Sequence, residues 1–178
     1  SLEQIPKING GIVVMDPHTG RVFALSGGFD FNRSNFNRVY QAMRQPGSSI
    51  KPFIYMSALE NGLQPNSLIL DAPFVIDQGG ELGKWKPENY GKKFYGPTTL
   101  RKGIENSRNL MTVRIAQYLG MDKISEIAQR AGIMENMPPV LSMALGAGET
   151  SLIKLTTAYA SFINGGKKAK SSLTDRIQ

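Results

Sequence analysis

Hydrophobic and polar positions divide the chain into a short β-rich front and a longer part dominated by helical periodicity. Two runs rich in β-branched residues, 10–16 and 21–26, are joined by the turn-forming stretch Asp16-Pro17-His18-Thr19-Gly20. This alternation of apolar runs and turn residues predicts an antiparallel hairpin. His18, the single histidine, is therefore expected at an exposed turn.

A helix is predicted after the turn signal Pro46-Gly47. Apolar residues recur at helical spacing from Ile50 to Leu59, and Gly62 supplies a stop, so we expect the helix to begin near Ser48. Pro52 supports this start, because proline lacks an N–H and is tolerated only in the first turn. Irregular polar stretches flank this helix at 27–43 and 65–95, with short strands expected at 68–70 and 74–76.

Four further helices are predicted in the second half of the chain. Thr98 or Thr99 caps a helix that ends near residue 105, and a second runs from residue 110 to Gly120. Two more follow, at 121–131 and at about 151–163. Strands at the front and helices behind them indicate an α+β fold.

Composition limits the functional classes. The 178 residues are 40% hydrophobic and 20% charged, which indicates one globular domain, and no apolar run approaches the ~20 residues of a membrane span. The net charge of +7 suits either an anionic surface or ordinary solubility. Nucleic-acid binding is not expected, because the lysines of 167–170 lack interleaved aromatic residues. The eight methionines look like core residues, and no metal or cofactor constellation is present.

Ser48 and Lys51 form a Ser-x-x-Lys pair at the predicted helix start. Spacing of one turn brings the two side chains to one face, so the amine could take the hydroxyl proton, and the helix N-terminus would favour an oxyanion. We expect Ser48 Oγ within hydrogen-bond reach of the Lys51 amine. The alternative is a plain capping serine, which is also how we interpret the second match, Ser151 and Lys154.

Ser107 and Asn109 form the one Ser-x-Asn of the chain, at the break between two predicted helices. They could be presented into a cleft or could cap the second helix. With a single histidine, a Ser-His-Asp triad is not expected to operate. The loop aromatics could form a packed cluster or a cleft wall; these are Trp85, Tyr90, Phe94 and Tyr95.

These motifs match a known family. Ser-x-x-Lys pairs with Ser-x-Asn and Lys-Thr-Gly in penicillin-binding proteins and related β-lactamases. From Gly11 to Gln178 the chain resembles the transpeptidase domain of the class A, bifunctional penicillin-binding proteins of the 1A type. The other matching motifs are Asp16-Pro17-x-Thr19-Gly20, Arg44-Gln45-Pro46-Gly47-Ser48-Ser49, Trp85-x-Pro87-x-Asn89-Tyr90 and Tyr95-Gly96-Pro97-Thr98-Thr99-Leu100.

The resemblance implies an antiparallel sheet flanked by helices, with a mostly helical lobe beside it. Residues 1–178 would be the N-terminal portion of one transpeptidase domain, without the glycosyltransferase domain, the membrane anchor or the C-terminal strands that carry Lys-Thr-Gly. That missing part could be a second chain or a continuation of this one. We therefore expect an open cleft wall beside Ser48 and an apolar face of the key helix, including Phe53 and Ile54, left uncovered.

The resemblance also implies a mechanism. Ser48 would attack the penultimate D-alanine of a peptidoglycan stem peptide with Lys51 as base. Ser107 would relay a proton, and Asn109 would bind the substrate and orient Lys51. Trp85, Asn89 and Tyr95 would contact substrate.

No cofactor is implied, and β-lactams would acylate Ser48. The protein would act on the outer, periplasmic face of the bacterial cytoplasmic membrane. A carboxypeptidase, a serine β-lactamase and a non-catalytic β-lactam sensor or scaffold are the alternatives.

Overall fold

The computed structural model describes residue 4, residues 6–77 and residues 83–174, and these form two compact units. The first unit contains the described residues of Ser1–Gln45, Gln129–Glu135 and Gly148–Gln178. The second contains Asn136–Ala147 and the described residues of Pro46–Ala128. The Ser-x-x-Lys pair at Ser48 and the Ser-x-Asn both lie in the second unit.

The first unit is built on the predicted hairpin, which the structure confirms. Strands β1 (Ile12–Met15) and β2 (Val22–Ser26) pair antiparallel. The Asp16 carboxylate accepts hydrogen bonds from the His18 N–H at 2.9 Å and the Thr19 hydroxyl at 2.6 Å, so the turn is fixed by local chemistry. His18 is exposed, as expected.

One face of this hairpin packs on an apolar cluster centred on Val22, Val39 and Ile153. Ile153 belongs to helix α5 (Leu152–Ala160), the last helix of the first unit. The opposite face carries Ile12, Val14 and Phe23, all of which are exposed. Alternation along a strand places neighbouring side chains on opposite faces, so this hairpin is apolar on both.

Helix α1 (Lys51–Glu60) belongs to the second unit and is largely buried. The prediction that it begins at Ser48 needs correction, because residues Gly47–Ile50 form a 3₁₀ turn and the α-helix begins at Lys51. The Lys51 N–H donates to Ser48 O, three residues back, which is the 3₁₀ pattern. The helix ends before Gly62, whose φ of +91° favours glycine.

The apolar side of α1 is covered, which corrects a second expectation. Phe53 and Ile54 were expected to lie uncovered, yet they are 0% and 1% exposed. Helix α1 is apolar almost all round, as expected of a buried helix, and it packs against α2 (Leu100–Glu105), α3 (Asn109–Leu119) and the 3₁₀ segment Leu141–Leu145. Neighbouring segments of the second unit therefore bury the apolar face of α1 that was expected to lie uncovered without a missing sheet.

The helix boundaries after residue 99 follow the predicted signals. Thr99 caps α2 by accepting a hydrogen bond from Lys102 N, and Gly120 ends α3. Helix α4 (Met121–Ala131) runs up to Gly132, and α5 starts after Ser151. Helix α5 ends at Ala160, three residues earlier than expected, where the chain continues as hydrogen-bonded turns. No helix within the described ranges has the length and hydropathy of a membrane span.

Short strands complete the second unit. Strand β3 (Leu68–Asp71), which was predicted, pairs antiparallel with β6 (Gly96–Thr99), which was not. The sequence Gly-Pro-Thr-Thr gives a weak strand signal because proline cannot donate to a ladder. Strands β4 (Ile76–Asp77) and β5 (Lys84–Trp85) form another small antiparallel pair. Helices with small antiparallel sheets agree with the predicted α+β class.

Candidate active site

Lys51 is the buried centre of the candidate site. Its side chain is the first of α1, and the residue is 2% exposed. The amine Nζ donates to Ser107 O at 2.7 Å, to Ser107 Oγ at 2.9 Å and to Asn109 Oδ1 at 2.6 Å. The structure thus brings together three of the four residues for which catalytic roles were predicted.

Burial lowers the pKa of Lys51 to about 8, because desolvation penalises the charged amine. The three oxygen atoms that hold the amine belong to uncharged groups, so none supplies the negative charge that would favour the ammonium form. A larger fraction of this lysine is therefore neutral near neutral pH than for a solvated lysine. Only the neutral amine can accept a proton, so the surroundings suit a general base.

Ser107 owes its position to the end of α2. Its N–H donates to Ile104 O at 3.0 Å, and the next amide, Arg108 N–H, donates to Gly103 O at 2.9 Å. This pair of bonds is the Schellman motif, in which the residue after the C-cap adopts a left-handed conformation. Glycine usually occupies that position, but here Ser107 has φ +51°. The turn carries a hydroxyl where most such turns carry no side chain.

Asn109 begins α3, and both ends of its amide are engaged. Its Nδ2 donates to Glu88 O at 2.8 Å while Oδ1 accepts from Lys51. The alternative that Ser107 and Asn109 cap α3 is not supported, because the N-cap residue is Arg108 and no side chain caps that end. Both side chains point instead to the amine.

Ser48 lies on the 3₁₀ turn directly before Lys51, and it is exposed. The predicted hydrogen bond between Ser48 Oγ and the Lys51 amine is absent from the described structure, which corrects that expectation. An ammonium group has three donors, and the three acceptors from Ser107 and Asn109 use all of them. The charged lysine has no donor left for Ser48.

Gly146 supports this turn, and sequence reasoning did not single it out. Its O accepts from Gly47 N at 3.4 Å, and a Cβ added to Gly146 would lie 2.2 Å from Gly47 O. A side chain at residue 146 would therefore displace the turn that presents Ser48. The signal in the sequence was Gly146-Ala147-Gly148, which indicates a turn but does not show that Gly146 contacts Gly47.

The predicted substrate-binding residues lie in three different environments. Trp85 is half-buried on β5 and packs against the cluster of Phe74, Leu110 and Val113, which favours the packed-cluster alternative for this residue. Tyr95 is half exposed, and its ring lies 3.5 Å from the Arg108 guanidinium carbon.

Asn89 is buried, and its amide is engaged within the protein. The Nδ2 group donates to Asp71 Oδ1 at 2.7 Å and to Lys93 O at 2.9 Å, while Oδ1 accepts from Leu110 N at 3.3 Å. These contacts give Asn89 a positioning role at the start of α3. Its direct contact with substrate stays a prediction.

The second Ser-x-x-Lys, in the first unit, has the capping role that was predicted for it. Ser151 is the N-cap of α5, and its side chain accepts from Lys154 N at 3.4 Å. The Lys154 side chain is 46% exposed and pairs with exposed Glu135 at 3.6 Å. In the described ranges, no group of three or more His, Cys, Asp or Glu residues is placed to hold a metal ion.

Comparisons with known proteins found similar sequences and similar solved structures. The family model described as "Penicillin binding protein transpeptidase domain" matches residues 10–178. Penicillin-binding protein 1A of Rickettsia bellii (strain RML369-C) is 49% identical over the whole chain, which covers 22% of that protein. The crystal structure of penicillin-binding protein 1A from Haemophilus influenzae matches with a TM-score of 0.93 and 38% identity, over 99% of this chain and 26% of that one.

A structure of the PonA1 protein from Mycobacterium tuberculosis in complex with penicillin V also matches. Its TM-score is 0.79 at 25% identity, over 92% of this chain and 45% of that chain. The solved structures confirm the predicted fold class. This chain spans about a quarter of the length of the Haemophilus protein's chain and of the Rickettsia relative.

Proposed function

The chain belongs to the penicillin-binding protein transpeptidase family, and from that premise we propose that it carries a serine acyl-transfer site that cross-links peptidoglycan stem peptides. The observation that carries the proposal is the buried Lys51 amine, held by Ser107 and Asn109 and with its pKa lowered to about 8. A lysine with these neighbours is suited to accept a proton from Ser48, which lies on the preceding turn.

In the proposed acylation step, Ser48 Oγ attacks the carbonyl carbon of the penultimate D-alanine while its proton passes to neutral Lys51. Neutral lysine has two hydrogens and one lone pair, so it can keep two of its hydrogen bonds and direct the lone pair at the Ser48 hydroxyl. The exposure of Ser48 and Ser107, together with the burial of Lys51, supports this division of roles.

Collapse of the tetrahedral intermediate breaks the C–N bond, and the leaving D-alanine takes a proton that Ser107 relays from Lys51. Asn109 holds the lysine in place and is proposed to bind the substrate amide. An amine from a neighbouring stem peptide then attacks the ester carbonyl carbon. The bond to Ser48 Oγ breaks, the amine's proton passes to that oxygen, and the new C–N bond completes the cross-link. The Ser48 N–H, in the first turn of its 3₁₀ segment, is a proposed oxyanion donor.

The proposal extends to partners and location. β-Lactams would acylate Ser48 as the stem peptide does; the matched PonA1 structure in complex with penicillin V supports this for a protein of similar fold. Stem peptides lie outside the cytoplasmic membrane, so we place the site on its outer, periplasmic face. A strand carrying Lys-Thr-Gly, as part of this domain or as a second chain, remains part of the proposal.

The test is labelling of the intact protein with a fluorescent penicillin, followed by denaturing gels. We expect a persistent label that Ser48→Ala abolishes and Ser151→Ala leaves intact, since Ser151 belongs to the capping motif. A transient label would mean that water takes the acyl group, as in a β-lactamase or carboxypeptidase. A folded wild-type protein that takes no label with the Lys-Thr-Gly strand present would exclude serine acylation and favour a scaffold role, whereas labelling only with that strand present would mean that this chain alone is an incomplete site.

A further inference from the structure

Asp71 is a buried carboxylate close to the proposed site, and no motif pointed to it. It ends β3, and its side chain is fully buried. Its Oδ1 accepts from Asn89 Nδ2 at 2.7 Å, and its backbone O accepts from Tyr95 N at 3.2 Å. Its Oδ2 has no hydrogen-bond partner among the described residues. Burying a charge is unfavourable unless it is paired, so its charged neighbour matters.

That neighbour is Arg108, the middle residue of the Ser-x-Asn motif. Arg108 Nε lies 3.9 Å from Asp71 Oδ2, and the arginine side chain is 18% exposed. The Arg108 guanidinium also lies over the Tyr95 ring, with its carbon 3.5 Å from the ring centroid, within the range of a cation–π contact. The guanidinium is thus fixed by a carboxylate and by an aromatic ring.

Fixing Arg108 affects Ser107, its immediate neighbour. Ser107 has φ +51°, a conformation that non-glycine residues keep only where surrounding structure holds them. The bonds from Ser107 N to Ile104 O and from Arg108 N to Gly103 O define that conformation. Arg108 therefore supplies one of the two backbone amides that define the Ser107 conformation.

Asp71 reaches the other side of the motif through Asn89. Asn89 Oδ1 accepts from Leu110 N, and the adjacent Glu88 O accepts from Asn109 Nδ2 at 2.8 Å. One carboxylate therefore contacts two residues, Arg108 and Asn89, that fix the chain before and after Asn109.

We propose that Asp71, through Arg108 and Asn89, is a positioning residue that holds the Ser107 hydroxyl and the Asn109 amide on Lys51. The inference rests on the proposed function, because it concerns how the site is aligned for acylation. Asp71 itself does not touch the reacting groups. A purely structural ion pair would affect stability in the same way whatever residue stood at position 107.

The test uses Asp71→Asn in the intact protein, because asparagine keeps the shape and an acceptor for Asn89 but removes the charge that faces Arg108. The rate constant for acylation by fluorescent penicillin should fall roughly tenfold to a hundredfold, as expected for a small misplacement of reacting groups. Asp122→Asn, an exposed carboxylate in the first turn of α4, is the matched control and should leave the rate unchanged.

A double-mutant cycle on the acylation rate distinguishes a positioning role of Asp71 from a purely structural one. In a Ser107→Ala/Asn109→Ala background Asp71→Asn should lower the remaining rate much less than in the wild type, since neither of the two groups is left to align. Equal losses in both backgrounds would overturn the proposal, and so would a wild-type rate in Asp71→Asn. If circular dichroism shows that Asp71→Asn is unfolded, Arg108→Gln takes its place in the same cycle.

Hydrogen exchange tests the inference independently of labelling. Protection of the Ser107 and Arg108 amides should fall in Asp71→Asn and not in Asp122→Asn; unchanged protection would contradict the proposal. A wild-type protein that does not label would refute the proposed function alone, while the exchange result would still decide whether Asp71 holds this turn.

Discussion

The two Ser-x-x-Lys motifs have the same spacing and opposite environments. Lys51 is buried, and uncharged oxygens of Ser107 and Asn109 hold its amine. Lys154 is about half exposed and pairs with a solvated Glu135, a contact of a kind worth ~0–1 kcal/mol. The comparison shows that spacing brings a serine and a lysine near each other, whereas burial and neighbours decide whether the lysine can act as a base.

The serines differ in the same way. Ser151 is buried, and its hydroxyl caps α5, so it is occupied in holding the helix end. Ser48 is exposed on a 3₁₀ turn, and its side chain caps no helix. A hydroxyl that stabilises its own backbone is a poor nucleophile candidate, and a solvent-accessible one is a better candidate.

The largest expected difference between the two Ser-x-x-Lys motifs is the effect of replacing their lysines. Lys51→Met should lower the rate of penicillin acylation about 10²–10⁴-fold, the range for loss of a general base. Lys154→Met should leave that rate unchanged and alter the free energy of unfolding by less than ~1 kcal/mol. Stopped-flow acylation and urea denaturation measure both. Equal acylation rates in the two variants would remove the functional distinction between the motifs.

A smaller effect concerns pH. Because the pKa of Lys51 is lowered to about 8, the lysine is mostly protonated at about pH 7 and loses its proton as the pH rises through 8. The acylation rate should therefore rise roughly tenfold between about pH 7 and pH 9 and then level. Lys154→Met should show the same profile. A rate that is flat over this interval would argue against Lys51 as the base.

The smallest expected effect concerns the capping serine. Ser151→Ala should lower the free energy of unfolding by about 1 kcal/mol through loss of the helix cap, without slowing acylation. Ser48→Ala should change that free energy by less than ~0.5 kcal/mol, as is usual for exposed substitutions. Urea denaturation of the two variants checks this order, and the reverse order would mean that Ser48 has a structural role.

Local signals predicted much of the fold. The turn around Asp16, the Thr99 cap and the stops at Gly120 and Gly132 were readable because each depends on a few neighbouring residues. Strand β6 was missed because its own residues give only a weak strand signal. It is a strand because it pairs with β3, and that contact cannot be seen in the local sequence. The predicted start of the key helix was wrong by three residues, since Gly47–Ile50 adopt a 3₁₀ turn.

The candidate site was predicted in part. Spacing identified Ser48 with Lys51 and Ser107 with Asn109, and the family resemblance joined the two pairs. Neither the spacing nor the resemblance indicated the left-handed conformation of Ser107, the packing of Gly146 on Gly47, or the burial of Asp71.

The sequence by itself determined the local elements and the positions of the chemical groups, because turns, caps and helical periods are set by interactions between near neighbours. The tertiary structure alone decided which lysine is desolvated and what holds it. The acceptors of Lys51 lie 56 and 58 residues further along the chain. Loss of water around an amine depends on all the segments that pack over it, and no local pattern at Ser48 or Ser151 contains that information.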